Sequence, residues 1–353
     1  MPLSERKHMQ EENMNRKRMN ILFQCDECYA AFTGVSMTSL LENNRDVEDI
    51  HIYLINDCIS EENQEKYRML VQRYDRTIEF LDMRGISDQL EACGAPKWSG
   101  SYAAYGRLFA LGLIREEIDR LLYLDSDTIV TSDLSELYNA ELDGNVCAMV
   151  QDTLCYALYK RIGHQWDEPY FNSGVVLFDV AAWKKMGGEA TVFSFITSFG
   201  SQLYFPDQDV LNYILKGKIR RISAKYNFAV QFLTVGIDEN YYVYSLDSKP
   251  HYYSREEIKD AGRNAMIYHY SSSVKPWIKD TRCALVDQWN KYLQLSPWAE
   301  MCKTERRGQP FRVQIQEMIT ECTCPLIRKM VHKLYVHTVA PAEFWIRKRK
   351  ASK

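Results

Sequence analysis

Leu121-Leu122-Tyr123-Leu124-Asp125-Ser126-Asp127-Thr128-Ile129-Val130 is an apolar segment interrupted by two carboxylates one residue apart. The apolar residues predict a buried strand, which normally excludes Asp because an unpaired buried carboxylate is costly or stays protonated. Asp125 and Asp127 therefore indicate a shared partner of positive charge, most simply a divalent cation. The alternative is that one Asp caps the following turn while the other is solvated. The pair alone leaves both interpretations open.

Strand-like and helix-like segments alternate ahead of this pair. The sequence predicts strands at 20–24, 50–55 and 78–81 and helices at 29–41, 60–74 and 102–118, with Ser60 near the cap of the second helix. This βαβα order is typical of a largely parallel sheet covered by helices on both faces.

Acidic residues follow several of these predicted strands. Ligands of such sheets bind beyond the carboxyl ends of the strands. Asp26, Asn56-Asp57 and the Asp125/Asp127 pair all occupy such positions. We therefore expect these residues to cluster in space.

The pattern changes after Val150. Asn172–Asp179 (NSGVVLFD) predicts a strand in which the small residues Ser173 and Gly174 would let a ligand approach the backbone. Helices are predicted at 181–186 and 191–199, and another runs to Leu215 with Asp207 as its N-cap. A short strand is predicted at 267–270.

Length and charge limit the classes of function. The 353 residues are 46% hydrophobic and 26% charged, enough for one large α/β domain with an appendage or for two modest domains. From Lys291 onward 13 Lys+Arg stand against 5 Glu, a balance of +8, so the overall −3 leaves −11 for residues 1–290. This distribution excludes a simple nucleic-acid binder and makes an anionic surface a plausible partner for the tail alone.

The sequence also gives expectations about location. No apolar stretch reaches the roughly 18 residues of a membrane span, and residues 1–19 are interpreted as a disordered leader because they lack the apolar core of a secretory signal. The ten scattered Cys fit a reducing cytoplasm. The pairs Cys25/Cys28 and Cys322/Cys324 are interpreted as ordinary thiols rather than zinc or redox motifs.

The last part of the chain, 291–353, is predicted to be a basic amphipathic helical tail. Its apolar residues recur with helical spacing between Leu326 and Leu334, and beyond Pro341 an aromatic–aliphatic cluster, Phe344–Ile346, precedes the basic run Arg347–Lys350. This combination suits peripheral contact with a membrane. The alternative is a helix packed on the main domain, 20–290, with a solvated basic end.

A metal interpretation of the carboxylate pair extends to other residues. Hard cations favour oxygen ligands and Mn²⁺ also accepts imidazole, so His269 is a candidate third ligand, with Mg²⁺ as the second candidate ion. The alternative for a lone histidine is a hydrogen-bonded structural role. Open coordination positions would accept a diphosphate, whose charge Lys275 and Arg107 could balance. Because neither a Walker P-loop nor a G-x-G-x-x-G motif occurs, a metal-held diphosphate points to a sugar-nucleotide donor.

Five separated segments, in order, resemble family 8 glycosyltransferases, retaining enzymes that include bacterial lipopolysaccharide galactosyl- and glucosyltransferases and glycogenin. The resemblance covers roughly residues 20–290. It implies a GT-A-type α/β fold, a three-layer α/β/α sandwich with a mixed, mostly parallel central sheet, to which this chain adds a C-terminal helical appendage. The segments are LYLDSDT (Leu122–Thr128), Y-x-R (Tyr105–Arg107), FNSGV (Phe171–Val175), DQDVLN (Asp207–Asn212) and HY…KPW (His269, Tyr270 and Lys275–Trp277).

The resemblance also implies roles for individual positions. It implies that Asp125, Asp127 and His269 bind Mn²⁺, that Asp26 pairs with the uracil edge, and that Tyr29 stacks on the uracil ring. Further positions implied to bind the donor are Arg107, Ser126, Ser272 and Lys275. The positions implied to line the donor sugar, and therefore the candidate catalytic residues, are Asp152, Asn172, Asp207 and Gln208.

Two departures from the family pattern concern loop geometry. The family usually has Gly where this chain has Ser272, and small residues are common where this chain has Gln24-Cys25. Neither departure touches the implied metal ligands.

The implied function is retaining, Mn²⁺-dependent transfer of galactose or glucose from a UDP-hexose to a glycan or lipid-linked saccharide acceptor, in the cytoplasm or peripherally on the inner face of the membrane. Retention could proceed through a covalent intermediate on Asp207 or Gln208, or by front-face attack within an ion pair. An uncharged amide such as Gln208 is a poor nucleophile, so we favour the ion pair.

Two other functions compete with transfer. A haloacid-dehalogenase-type phosphatase also ends a strand in D-x-D, but it requires Thr or Val where this chain has Ile129, and no Gly-Asp dipeptide is present for its later motif. A non-catalytic UDP-sugar-binding protein on the same fold is the other alternative. The intact set of Asp125, Asp127 and His269 argues against it.

Overall fold

The computed structural model describes residues 18–98, 100–154, 165–200, 203–305, 309–339 and 342. Residues 1–17 of the expected leader 1–19, the cluster Phe344–Ile346 and the basic run Arg347–Lys350 lie outside the described residues. Their predicted roles stay predictions. Arg18 and Met19, the last two residues assigned to the leader, instead begin the first strand, Arg18–Asp26.

The central sheet is mixed and has the strand order β3-β2-β1-β4-β7-β6-β8. The first four strands in this order are parallel, β7 is antiparallel to both β4 and β6, and β8 is parallel to β6. The strands are β1 Arg18–Asp26, β2 Asp49–Asp57, β3 Thr77–Asp82, β4 Arg120–Leu124, β6 Cys147–Gln151, β7 Phe171–Asp179 and β8 Ile219–Arg221.

A smaller sheet lies at the end of β4. It pairs β5 (Thr128–Val130) with β10 (Ile267–His269) in antiparallel register, and β10 with β9 (Phe228–Ala229) in parallel register. The register places His269 opposite Thr128, immediately after the carboxylate pair. Two segments about 140 residues apart in sequence thus meet through backbone pairing.

Helices cover both faces of the central sheet. Successive side chains of a strand alternate between faces, so Ile21 and Phe23 enter one core cluster while Leu22 enters the other. The α-helices are α1 Ala30–Asn43, α2 Glu61–Gln72, α3 Arg84–Ala92, α4 Gly106–Leu113, α5 Ser135–Tyr138, α6 Val180–Lys185, α7 Gly188–Phe199, α8 Pro206–Ile214, α9 Gln231–Thr234, α10 Ile237–Tyr244, α11 Arg255–Arg263, α12 Val286–Leu295, α13 Phe311–Glu321 and α14 Pro325–Leu334.

The predicted helix at 102–118 was wrong in extent. A 3₁₀ turn covers Ala103–Tyr105, α4 ends at Leu113, and Ile114 has extended backbone angles. Ile114 and Ile118 are both buried, which gives the four-residue spacing that imitates a helix. Between them Glu116 is exposed and forms an ion pair with Arg18 at 2.9 Å. No individual helix was predicted at the positions of α3, α5 or α9 to α13.

The tail helix predicted between Leu326 and Leu334 is confirmed as α14, and its contacts are unusual. It packs on α10 through polar groups: Arg328 Nε lies 2.8 Å and His332 Nδ1 3.1 Å from the carboxylate of Glu239, which is only 1% exposed. Its apolar side chains face outward instead, including Leu326 at 69% exposure and Leu334 at 62%. Helix α12 crosses the expected boundary at residue 290, and that boundary stays a prediction.

Within the described ranges, no helix combines the length and apolar character that a membrane span requires.

Candidate functional site

The carboxyl ends of the parallel strands meet as expected. The β1–β2 register pairs Asp26 with Asp57. The Ser126 hydroxyl, in the loop after β4, donates to the carbonyl of Gln24 at 2.8 Å and accepts from Thr33 at 2.7 Å. These bonds hold the carboxylate pair against the end of β1.

Asp125, Asp127 and His269 converge on one point. Each offers a ligand atom within 4.8 Å of the other two. His269 Nε2 lies 3.1 Å from Asp127 Oδ1 and 3.6 Å from Asp125 Oδ2. The backbone bond from Tyr270 N to the carbonyl of Asp127, 2.9 Å long, fixes the two segments together.

Gly174 on β7 is what allows this convergence. A Cβ at this position would lie 2.2 Å from His269 Cε1 and 2.7 Å from Asp125 Oδ2. We expected Ser173 and Gly174 to admit a ligand to the backbone. At Gly174 the protein's own imidazole and carboxylate fill the space that a side chain would take, and approach of a ligand to this backbone stays a prediction.

The second oxygen of each carboxylate meets a cation. Asp125 Oδ1 lies 2.9 Å from Arg107 Nη2 and accepts a 2.5 Å hydrogen bond from the Tyr123 hydroxyl. Lys275 Nζ donates to Asp127 Oδ2 at 2.6 Å. These contacts leave one oxygen of each Asp directed at His269.

The electrostatics of the three groups are coupled. Burial raises the pKa of Asp125. Burial acts in the same direction on Asp127, but Lys275 and His269 hold the pKa of that carboxyl well below its usual range. Burial alone would lower the pKa of His269, yet Asp127 and Asp125 raise it above its ordinary value. The two carboxylates thus favour a positive charge at the point where they meet the imidazole.

This donor set fits a divalent cation. Two carboxylate oxygens and one imidazole nitrogen match the preferences of Mn²⁺, while Mg²⁺ more often takes oxygen ligands alone. Three protein ligands also leave coordination positions open for a ligand's oxygens.

Asp207 has a different position from the one predicted. Helix α8 begins at Pro206 and its N-cap is Phe205, so the prediction of Asp207 as the cap was wrong. The Asp207 carboxylate instead accepts from the Ser173 hydroxyl at 2.8 Å and lies 3.2 Å from Arg107. Asp209 accepts hydrogen bonds from the backbone N–H groups of Tyr204 and Phe205, which lie just ahead of the helix.

Gln208, Asp152 and Asn172 form one network beside the carboxylate pair. Gln208 accepts from Ser173 N at 3.0 Å and donates to Asp152 Oδ2 at 2.9 Å. Asn172 donates to the same Asp152 oxygen at 3.2 Å. The sequence did not single out Asn227, which joins this network and carries no motif of its own.

Tyr29 and Asp26 lie at the start of α1. Tyr29 is 41% exposed and makes edge-to-face contacts with Phe32 and Trp277 at centroid distances of 5.4 and 6.3 Å. Asp26 accepts from Tyr29 N at 3.1 Å. Their contacts with a uracil ring stay predictions.

The loop that carries Ser272 contacts a tail helix that was not predicted. The Ser272 hydroxyl donates to the carbonyl of Val274 at 3.3 Å. The next residue, Ser273, donates its backbone N–H to Gln316 of α13 at 3.1 Å. Arg312 of the same helix lies over the ring of Trp98, 5.9 Å from its centroid. No sequence motif marks these tail residues.

The chain belongs to glycosyl transferase family 8, whose family model matches residues 20–281. It is 30% identical over 288 residues to a lipopolysaccharide 1,2-glucosyltransferase of Escherichia coli K12, covering 80% of this chain and 79% of that protein. It is 26% identical over 285 residues to general stress protein A of Bacillus subtilis, covering 79% and 94%. Family membership favours a transferase over the phosphatase alternative.

Solved structures confirm the GT-A-type fold. The galactosyltransferase LgtC, in complex with donor and acceptor sugar analogues, superimposes with a TM-score of 0.64 at 22% identity over 79% of this chain and 96% of that one. GlyE of Streptococcus pneumoniae gives a TM-score of 0.57 at 23% identity, covering 80% of this chain and 62% of that one. At these identities the likeness concerns the fold alone.

Proposed function

We propose that this protein is a retaining hexosyltransferase that uses Mn²⁺ to transfer glucose or galactose from a UDP-hexose to a glycan or lipid-linked saccharide. The observation that carries the proposal is the convergence of Asp125, Asp127 and His269 within 4.8 Å, beside Lys275, at the carboxyl ends of parallel strands. That edge of an α/β sheet is where such folds bind ligands.

The residues divide into distinct tasks. Asp125, Asp127 and His269 would hold the ion, which when bound supplies a Lewis acid for the diphosphate. Lys275 stands beside Asp127, where its ammonium group can stabilise negative charge on the departing UDP. Tyr29, partly exposed, is proposed to stack on the uracil ring.

The contacts of Asp207 and Gln208 support front-face attack within an ion pair. The Asp207 carboxylate is bound by Arg107 and Ser173, and both ends of the Gln208 amide are hydrogen-bonded. Groups held in this way are poor nucleophiles but good positioning and electrostatic elements. A glycosyl–enzyme adduct seen by intact mass spectrometry would contradict the ion-pair route.

Release of labelled hexose from UDP-glucose and UDP-galactose tests the proposal. We expect turnover with Mn²⁺, loss of turnover with EDTA, and a decrease of about 100-fold or more in Asp127→Asn. The matched control is Asp287→Asn, which changes an exposed carboxylate outside the site. Turnover that survives EDTA would refute the metal's role, and UDP-hexose binding without turnover would support a non-catalytic binding protein.

We further propose that α14 binds peripherally to the inner face of an anionic membrane. Five outward apolar side chains support this: Leu326, Ile327, Met330, Val331 and Leu334, each 45–69% exposed. The net charge of +8 over residues 291–353 complements anionic lipid.

Co-sedimentation with phosphatidylglycerol vesicles tests this contact. We expect binding that is lost on truncation from Pro325 and in the double variant Leu326→Gln, Met330→Gln, while UDP-hexose turnover is retained. Met69→Gln changes another exposed methionine, on α2, and should leave vesicle binding intact. Unchanged vesicle binding of the double variant would contradict the proposal.

A further inference from the structure

A chain of side-chain amides leads from His269 to the network around Gln208. His269 Nδ1 lies 2.8 Å from Asn227 Oδ1, and Asn227 Nδ2 donates to Asn172 Oδ1 at 2.8 Å. Asn172 Nδ2 then donates to Asp152 Oδ2, the oxygen that also accepts from Gln208. Asn227 is 5% exposed. The polar ends of its amide are thus used inside the protein.

The direction of every bond in this chain follows from one backbone group. Gly174 N donates to the Asn172 side chain at 2.9 Å. Because a backbone N–H can only donate, the atom that it meets is Oδ1. Asn227 must then present its NH₂ group to that oxygen, and its own Oδ1 to His269.

The consequence falls on the imidazole. An acceptor at Nδ1 requires a proton on that nitrogen, so in the neutral ring Nε2 carries the lone pair. Nε2 is the atom that faces Asp125 and Asp127. A metal ligand must present a lone pair, and the group bonded to the other ring nitrogen selects which nitrogen does so.

We propose that Asn227 is a positioning residue that fixes His269 in the tautomer whose Nε2 lone pair is directed at the carboxylate pair. The importance of Asn227 for catalysis rests on the proposed function, whereas the tautomer of His269 does not depend on that function. Through Asn172, Asn227 also connects the metal ligand to Asp152 and Gln208. The metal side and the predicted sugar side of the site therefore share one set of oriented hydrogen bonds.

Two variants separate the hydrogen bond that Asn227 makes with His269 from the one that it makes with Asn172. Asn227→Leu removes both ends of the amide. Asn227→Asp keeps an acceptor toward His269 but sets a carboxylate oxygen against Asn172 Oδ1, which is already an acceptor. Asn44→Leu is the matched control because Asn44 is also buried, 1% exposed, and bonds to protein groups at the end of α1.

Two measurements test the proposal. Nitrogen-15 NMR of histidine-labelled, metal-free protein at alkaline pH, with His269→Gln for assignment, reports which ring nitrogen carries the proton. In the wild type we expect the proton on Nδ1, and in Asn227→Leu a loss of that preference. Mn²⁺ titration followed by electron paramagnetic resonance should show affinity about 10- to 100-fold weaker in Asn227→Leu, and within about threefold of wild type or tighter in Asn227→Asp.

Results that contradict the role of Asn227 can be distinguished from results that contradict the proposed function. A proton on Nε2 in the wild type, or Mn²⁺ affinity in Asn227→Leu no weaker than in Asn44→Leu, would overturn the role of Asn227. Absence of UDP-hexose turnover, with the NMR and Mn²⁺ results as expected, would contradict the proposed function and leave the positioning role supported. The wild-type spectrum decides the tautomer even if Asn227→Leu does not fold.

Discussion

Gly174→Ala is expected to damage the candidate metal site through a single methyl group. The added Cβ would lie 2.2 Å from His269 Cε1, whereas ordinary contacts begin near 3.4 Å, so the ring or the strand must move by 1.2 Å. Metal–ligand distances tolerate only about 0.2 Å. The imidazole therefore cannot both avoid the methyl group and keep its place beside Asp125 and Asp127.

The size of the effect follows from the strain. Overpacking of this kind costs about 1–3 kcal/mol. If the protein relieves it by moving His269 away from the carboxylates, Mn²⁺ affinity should fall about 10- to 100-fold. The assay is Mn²⁺ titration followed by electron paramagnetic resonance, together with the free energy of unfolding in urea.

Gly85→Ala is the matched control. Gly85 lies in α3, and a Cβ there meets nothing within 4 Å. We expect unchanged Mn²⁺ affinity and a gain in stability of at most about 0.5–1 kcal/mol, the value for Gly to Ala in the middle of a helix, because Gly85 lies in the first turn of α3. Wild-type Mn²⁺ affinity in Gly174→Ala would refute the reasoning, because it would mean that His269 is not needed where the structure places it.

Three further predictions concern protonation and the tail. Asp127 and Asp125 raise the pKa of His269 against the effect of burial, so Mn²⁺ affinity should fall about tenfold per pH unit below that pKa; a flat profile to pH 5 would contradict this. Burial raises the pKa of Asp209 to about 6. The folded state therefore binds this proton more tightly than the unfolded chain does, and the free energy of unfolding should fall by up to about 3 kcal/mol between pH 4 and 7. Urea unfolding measured at several pH values should show that Asp209→Asn lacks this decrease. Glu239→Gln should lower the free energy of unfolding by about 1–3 kcal/mol, less than for a fully buried ion pair because Arg328 is partly exposed. It should also make α14 sensitive to limited proteolysis. An unchanged cleavage rate would refute the role of Glu239 in anchoring α14.

Local sequence pattern predicted the central features of the fold. The strands containing Ile21, Ile52 and Leu122 were recognised because buried parallel strands are runs of apolar residues, and the helices between them because their residues follow a helical period. The same reasoning failed at Ile114 and Ile118, where helical spacing arises from two loop residues that are buried for tertiary reasons.

The candidate site was predictable only in part. Asp125 and Asp127 were found because carboxylates interrupt an apolar strand. His269 was a candidate from ligand chemistry, and the resemblance implied the same role. Its meeting with the two carboxylates was not encoded locally, because it depends on the pairing of β10 with β5. Asn227 and Gln316 were missed because their roles depend on contacts between segments distant in sequence, which no spacing rule encodes.

The most direct test of the account is a crystal structure of the protein with Mn²⁺ and UDP, with the ion located by its anomalous scattering. We expect one manganese peak, with Asp125, Asp127 and His269 Nε2 each at about 2 Å and oxygens of the diphosphate in the remaining positions. A peak that His269 does not ligate, or UDP bound with no ion beside the two carboxylates, would contradict the account.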